Sequence, residues 1–269
     1  MVVVSEEILI LCKTYPSPSG KYAETTCVAG MTKTGRLVRL FPVPFRLISE
    51  NKKFNKWQWI TAKVEKARKD HRPESFSIKV DTIALGSKVP TAREWAERKA
   101  LLSLLECYTD FNQISVSHDS GNISLALLKP AAILGLDITP VQATEWTDEE
   151  LAKLVQEQRQ LGMFEDSDRP ALKTLRKLPY DFHYRYRCDT PLGPRSFRHK
   201  LVDWEIGALF WRCHDNYHDE WEKHFRSKIE NEIPSRDVHF LMGNMHRFQG
   251  NWLIISLIYP PIPSQLALI

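Results

Sequence analysis

Glycine is scarce in this chain, 11 in 269 residues, and none stands in a GxGxxG, GxSxG or Walker arrangement. Phosphate-cradling loops need glycine where the backbone must approach the ligand. The nearest approach, Ser17-Pro18-Ser19-Gly20-Lys21, has Tyr15 where the first glycine belongs. No HExxH or CxxC occurs either, so the familiar nucleotide-hydrolysing, dinucleotide-dependent, esterase and zinc-protease signatures are missing. No cofactor is expected. The five cysteines, Cys12, Cys27, Cys107, Cys188 and Cys213, are odd in number and widely spaced. That argues against a disulfide framework and suits a reducing cytoplasm. No apolar run approaches the roughly 18 residues a membrane span needs; the run from Trp252 to Tyr259 stops at Pro260-Pro261. Met1–Glu7 carries two acids where a basic leader would stand, so neither a signal nor a transit peptide is expected. There is no internal repeat and no low-complexity tract.

What is present is a core-forming composition. Apolar residues at 43% and charged residues at 26% are ordinary for a folded chain, and the length suffices to bury a core without metals or disulfides. The formal charge of +4 conceals an asymmetry. Residues 1–80 hold 15 Lys/Arg against 7 Asp/Glu, residues 81–168 hold 7 against 15, and residues 169–269 hold 15 against 11. Two basic regions thus flank an acidic one, as expected of a chain with a polyanion-binding face. The plainer reading is solvated surface laced with ion pairs.

Periodicity predicts a β-dominated mixed fold. Ile8–Cys12, Glu24–Met31, Arg36–Phe41, Trp57–Arg68 and Ser75–Ile83 read as strands with short connections, the pattern of a small barrel. Thr91-Ala92-Arg93-Glu94 and Thr147-Asp148-Glu149-Glu150 read as capping boxes opening helices to about Cys107 and Leu161. Asn122–Leu128, Ala131–Ile138, Tyr180–Cys188, Val238–Met242 and Trp252–Tyr259 read as further strands. Helices are expected from Asp203 to Cys213 and from Asp219 to Ile229. The division predicted is a basic OB-like barrel in residues 1–90 and an acidic connector in 91–168 containing a linker at Gly162–Pro170. A second basic β unit with two helices follows in 169–269.

Two segments pair cations with aromatics. In the first, Lys52, Lys53 and Lys56 run into Trp57-Gln58-Trp59, followed by Lys63, Lys66, Arg68, Lys69 and Arg72. Along a strand Ile60, Ala62 and Val64 share one face, and Trp57, Trp59, Thr61 and Lys63 the other. Rings beside a row of cations are how single-stranded nucleic acid is held: bases stack while Lys and Arg follow phosphates. Burial of both indoles is the competing reading. In the second, Tyr180, Phe182, Tyr184, Tyr186 and Cys188 alternate with Asp181, His183, Arg185 and Arg187, so an aromatic face turns to the core and a cationic face is left for phosphate. Arg195, Arg198 and Lys200 could assist. The candidate nucleic-acid contacts are therefore Lys53, Lys56, Trp57, Trp59, Lys63, Arg68, Arg72, Arg185 and Arg187. A catalytic alternative is a nuclease-like centre at His199, Asp203 and Glu205, which requires the three to converge; Asp203 has a simpler use as a helix cap. His214, His218 and Glu222 fall at helical spacing, and Cys188 faces His199 across a loop, but neither set makes a full metal site.

Three groups of residues carry a family resemblance. They are Lys13–Ser19 with Glu24–Gly30 and Arg39–Arg46; Asp70-His71-Arg72-Pro73-Glu74-Ser75; and His199 through Asp203-Trp204-Glu205 with the ending Ile254–Pro261. The chain resembles an uncharacterised bacterial family, the dual OB-containing domain family. The resemblance implies two small barrels and non-catalytic nucleic-acid handling in antiphage defence or DNA processing, with other subunits of a defence complex as partners. It carries over no catalytic residues. A protein-interaction role for the acidic middle is the remaining alternative.

Overall fold

In a computed structural model, residues 2–16, 26–46, 48–143, 145, 147–149, 152 and 176–263 are described. The expected helix to Leu161 and the linker at Gly162–Pro170 lie largely or wholly outside them. The fold is mixed and β-dominated, with OB-like barrels and appended helices.

The first sheet comprises β1 (Val4–Lys13), β2 (Thr26–Thr32), β3 (Leu37–Val43), β4 (Gln58–Lys66), β5 (Ser75–Ile78) and β6 (Ala84–Lys88). Its ladder runs β1-β2-β3-β5-β4, and β4 returns to β1 over Val4↔Val64 to Leu9↔Trp59. Five strands therefore close a barrel, with β3 and β5 parallel at Leu40↔Phe76. This is the strand order of an OB fold. Alternation fills the interior with Ile8, Ile10, Val28, Val38, Leu40, Ile60, Ala62 and Val64. The unbroken apolar run of β1 follows from burial on both sides: Leu9, Leu11 and Cys12 face away from the barrel yet are also inaccessible.

The second sheet contains β7 (Cys107–Tyr108), β8 (Leu125–Leu128), β9 (Ala132–Pro140), β10 (Tyr180–Thr190), β11 (Gly193–Leu201), β12 (His239–Asn244) and β13 (Trp252–Ile258). Six of its strands run in the series β9-β10-β11-β13-β12-β8, with β7 beyond β8 and with β11 and β13 parallel. The two ends of that series, β8 and β9, are separated in the chain by only Lys129-Pro130-Ala131. Taken as one first strand broken at Pro130, they complete a second ring with the same order as the first. Proline cannot donate to a ladder, which accounts for the break. Strands β7 to β9, in the stretch read from sequence as a connector, are thus members of this sheet.

The helices that matter to the fold are α1 (Ala92–Leu102), α2 (Phe111–Asp119), α3 (Trp204–Tyr217) and α4 (Trp221–Arg226), the last running into a π-helical turn at Ser227–Glu232. The expected capping box at Thr91 does not form. Thr91 makes no side-chain cap, and Arg93, Glu94 and Trp95 take left-handed φ values of 49°, 52° and 65°. Asp203 does cap α3, its carboxylate accepting from Glu205 N at 2.8 Å. Helix α3 ends before His218, whose φ is 45°, so His214, His218 and Glu222 do not share one continuous helix. Helices α3 and α4 lie on the aromatic face of β10, with Phe182 against Phe210 and Phe225 at 5.6 and 4.7 Å. Among the described residues no helix is long and apolar enough to cross a membrane.

The barrels share a third core. Leu9, Leu11, Ala29 and Met31 on the outside of β1 and β2 meet Leu125, Leu127, Leu241 and Ile255 on the outside of β8, β12 and β13. Buried polar links cross the same join. Arg39, 1% exposed, donates to Ser124 Oγ and O at 2.8 and 2.7 Å, and Glu74 accepts from Ser124 N at 2.9 Å.

Candidate nucleic-acid interface

Oligonucleotides bind OB folds on the outward face of the second and third strands, flanked by the loops after strands one and four. In the first barrel that face, on β2 and β3, is covered: Ala29 and Met31 lie in the shared core and Arg39 is buried against Ser124. In the second barrel the corresponding strands are β10 and β11, on the side away from the join.

The structure brings together cations there that are remote in sequence. Across the β10–β11 ladder His183 faces Lys200, Arg185 faces Arg198 and Arg187 faces Ser196. Arg185, Arg187, Arg195 and Arg198 are exposed and Lys200 is half-exposed. Two arginines directly opposite would repel. One carboxylate on β9 resolves the conflict: Asp137 accepts from Arg185 Nε at 2.9 Å and from Arg198 Nε at 2.7 Å. The Arg198 and Arg185 hydrogen bonds hold the Asp137 carboxyl below its usual range. Gly135 sits opposite Arg185 with φ 151°, and a Cβ there would stand 2.9 Å from the Arg185 guanidinium, so the missing side chain leaves room for it. Asp181 pairs with Lys200 at 2.7 Å and Asp189 with Arg187 at 3.5 Å. Four cations on this face, Arg185, Arg187, Arg198 and Lys200, thus meet three carboxylates, a surplus of positive charge; Arg195, opposite the buried Cys188, belongs to the other side of β11 with Phe197 and His199. Burial lowers the pKa of His183 at its centre, and its Nδ1 is buried with no hydrogen-bond partner among the described residues.

The first-barrel candidates are dispersed. Trp57, expected to present its ring beside Trp59, is 3% exposed. Its φ of 63° breaks the strand alternation; Trp57 N donates to Ile10 O, and its carbonyl accepts from Val89 N, both at 2.7 Å. Its ring packs on Trp95 and beneath the Arg98 guanidinium at 4.8 Å. No base can reach it. Lys56 crosses the join, donating to Leu257 O at 2.8 Å and Glu205 Oε2 at 2.9 Å, with Asp203 at 3.6 Å. Burial alone would lower the Lys56 pKa, but Asp203 and Glu205 hold its ammonium protonated well above the usual range. Arg72 is buried, chelated by Asp70 and donating to Asn244 O at 2.6 Å. Despite burial, the Arg72 hydrogen bonds and charge keep the Asp70 carboxyl down at about 2. Trp59 is half-buried beside the shared core. Lys53 pairs with Glu50. Lys63 and Arg68 are exposed, on the outside of β4 and in the loop after it.

His199, Asp203 and Glu205 do not converge. The His199 ring lies between Phe111 and Tyr186, 2.9 Å from the Tyr186 hydroxyl, and burial pushes its pKa down to about 4. Both Asp203 oxygens are occupied, Oδ1 by Glu205 N and Oδ2 by Ser256 Oγ and Leu257 N at 2.9 Å. Burial raises its carboxyl against the opposing pull of Lys56. Among the described residues no three His, Cys, Asp or Glu side chains gather as a metal site.

The sequence points to Arg195, Arg198 and Lys200 as assisting cations but not to the strand, β11, that carries them. β11 was read as a loop because its inward positions are Phe197, His199 and Leu201, and the histidine interrupts the apolar alternation. The β12–β13 loop was read only as a turn, although it carries Arg247 and an exposed Phe248.

Comparison with known proteins follows the division into two barrels. Residues 4–104 match a family model described as Domain of unknown function (DUF8758), and residues 109–268 match one described as Domain of unknown function (DUF8757). No curated protein sequence matches the chain. Among solved structures, a murine DNA binding protein bound with ds DNA overlays 97% of this chain and 98% of its own, at 8% identity and a TM-score of 0.28. A replication protein A heterotrimer bound to ssDNA overlays 99% of this chain and 67% of its own, at 9% identity and a TM-score of 0.24. Scores this low carry no argument, and the OB assignment rests on strand order alone.

Proposed function

This chain belongs to the DUF8757 family, whose description names no activity, and we propose that it binds single-stranded nucleic acid along the β10–β11 face of its second barrel without catalysing a reaction on it. One observation carries the reading. Of the two OB-type faces one is sealed by the other barrel, and the open one bears Arg185, Arg187, Arg198 and Lys200. Phosphates would displace the weak pairs to Asp137, Asp181 and Asp189, since exposed ion pairs contribute little to stability. The first barrel then serves as a support. An antiphage or DNA-processing role with partner subunits, in a bacterial cytoplasm, is the setting this reading favours.

Fluorescence anisotropy with labelled dT20 and rU20 tests it. Arg185→Ala with Arg198→Ala is expected to weaken binding at least tenfold and to reduce the slope of log K against log salt by about 1–2, because each phosphate contact releases a counterion. Unchanged affinity and slope in a variant that melts like the parent would remove the reading.

A further inference from the structure

The loops after the fourth strand of each barrel meet. In the first barrel this is Ala67–Glu74, between β4 and β5; in the second it is Met245–Asn251, between β12 and β13. Arg72 from the first donates to Asn244 O and Oδ1 at 2.6 and 3.2 Å. His246 Nε2 of the second donates to Lys69 O at 3.0 Å. The second loop is also tied to itself: Met245 N donates to Asn251 O at 2.9 Å, Asn251 N to Phe248 O at 2.8 Å and Asn244 Nδ2 to Gln249 O at 3.1 Å.

On this pinned loop Phe248 is 63% exposed, the highest value of any aromatic side chain among the described residues. A fold gains nothing from holding a phenyl ring in water. The exposed charged side chains of the two loops have one sign: Arg68, Lys69 and Arg247. The acids of the two loops are engaged elsewhere: Asp70 is buried against Arg72, and Glu74 accepts from Ser124. The register Lys200↔Leu253 is parallel, so the loop preceding Trp252 lies toward the end of β11 that carries Arg198.

We propose that Phe248 is a base-stacking platform and that the paired loops form one composite, two-barrel end of the binding path, with Arg68, Lys69 and Arg247 following phosphates of a single strand. The proposal rests on the β10–β11 reading and extends it across the join. A single strand is the ligand this chemistry fits, because a ring at the tip of a rigid loop needs an unpaired base face. Little ordering is left to do on binding, since the loop is already fixed.

The test uses the full chain, dT20 and rU20, and the same oligonucleotides carrying one 2-aminopurine. Phe248→Ala should weaken binding about tenfold and abolish the stacking quench of 2-aminopurine, whereas Phe248→Trp keeps both. Arg68→Ala with Lys69→Ala should lower the salt slope by about one or two while leaving the quench intact. Relative strength on dT20 and rU20 separates DNA from RNA as the ligand. If all these variants bind like the parent while Arg185→Ala with Arg198→Ala still weakens binding, the loop proposal is overturned and the β10–β11 reading stands. Should the loop variants weaken binding while the strand variants do not, the β10–β11 reading falls and the site lies on the loops. A parent chain that binds neither oligonucleotide overturns both.

Discussion

Trp57 shows how one backbone angle decides what a side chain is for. Had the residue continued the β4 alternation, its ring would lie outside beside Trp59. Its φ of 63° instead turns the indole under Arg98 and against Trp95. The ring is core material, so Trp57→Ala should destabilise the fold by about 3–5 kcal/mol, the usual cost of truncating a buried aromatic. Folded Trp57→Ala should still bind oligonucleotide with the parent affinity. Urea denaturation and anisotropy on the same preparation check both; a stable variant with lost affinity would return Trp57 to the binding surface. Lys56 and Arg72 carry the same lesson. Each is a cation within a basic run, and each is drawn inward by partners from the other barrel, Asp203 and Glu205 in one case and Asn244 in the other. No sequence window containing Lys56 contains those partners.

At the scale of elements, the first barrel was legible because its inward positions are plain aliphatics at a period of two. β10 was legible for the same reason, with aromatics on one face and charges on the other. β11 was not, and its histidine makes a prediction. His199 is held neutral inside the barrel, its pKa pushed by burial from an ordinary 6.5 to about 4. The unfolded chain therefore takes up this proton first. His199's contribution is complete above about pH 6.5 and lost as the pH falls toward 4. From pH 7 to 4.5 this single group should cost about 2 kcal/mol. His183 and His239, also shifted down by burial, act in the same direction. The Asp70 carboxyl, held at about 2, contributes stability that is complete above its ordinary range near pH 4 and is lost only below it, outside this window. Urea midpoints at the two pH values should thus converge partly in His199→Gln. An undiminished difference would place the proton elsewhere.

The whole molecule explains why the two basic stretches differ in what they can present. Two basic stretches looked equivalent along the chain, but the barrels are joined front to back. The outside of strands one to three of the first lies against strands one, four and five of the second. That arrangement seals one OB face and frees the other. The unalternating run Ile8–Cys12 was the available sign, since a strand apolar on both faces needs a second layer over it. Its partner layer comes from Leu125, Leu241 and Ile255, more than a hundred residues away, which no local pattern identifies.

Hydrogen–deuterium exchange of the full chain with and without dT20 tests the central claim most directly. The account predicts slowed exchange on β10, β11 and the Met245–Asn251 loop, with β2 and β3 unchanged. Slowed exchange centred on Lys52–Trp59, or no change anywhere at saturating oligonucleotide, would contradict it.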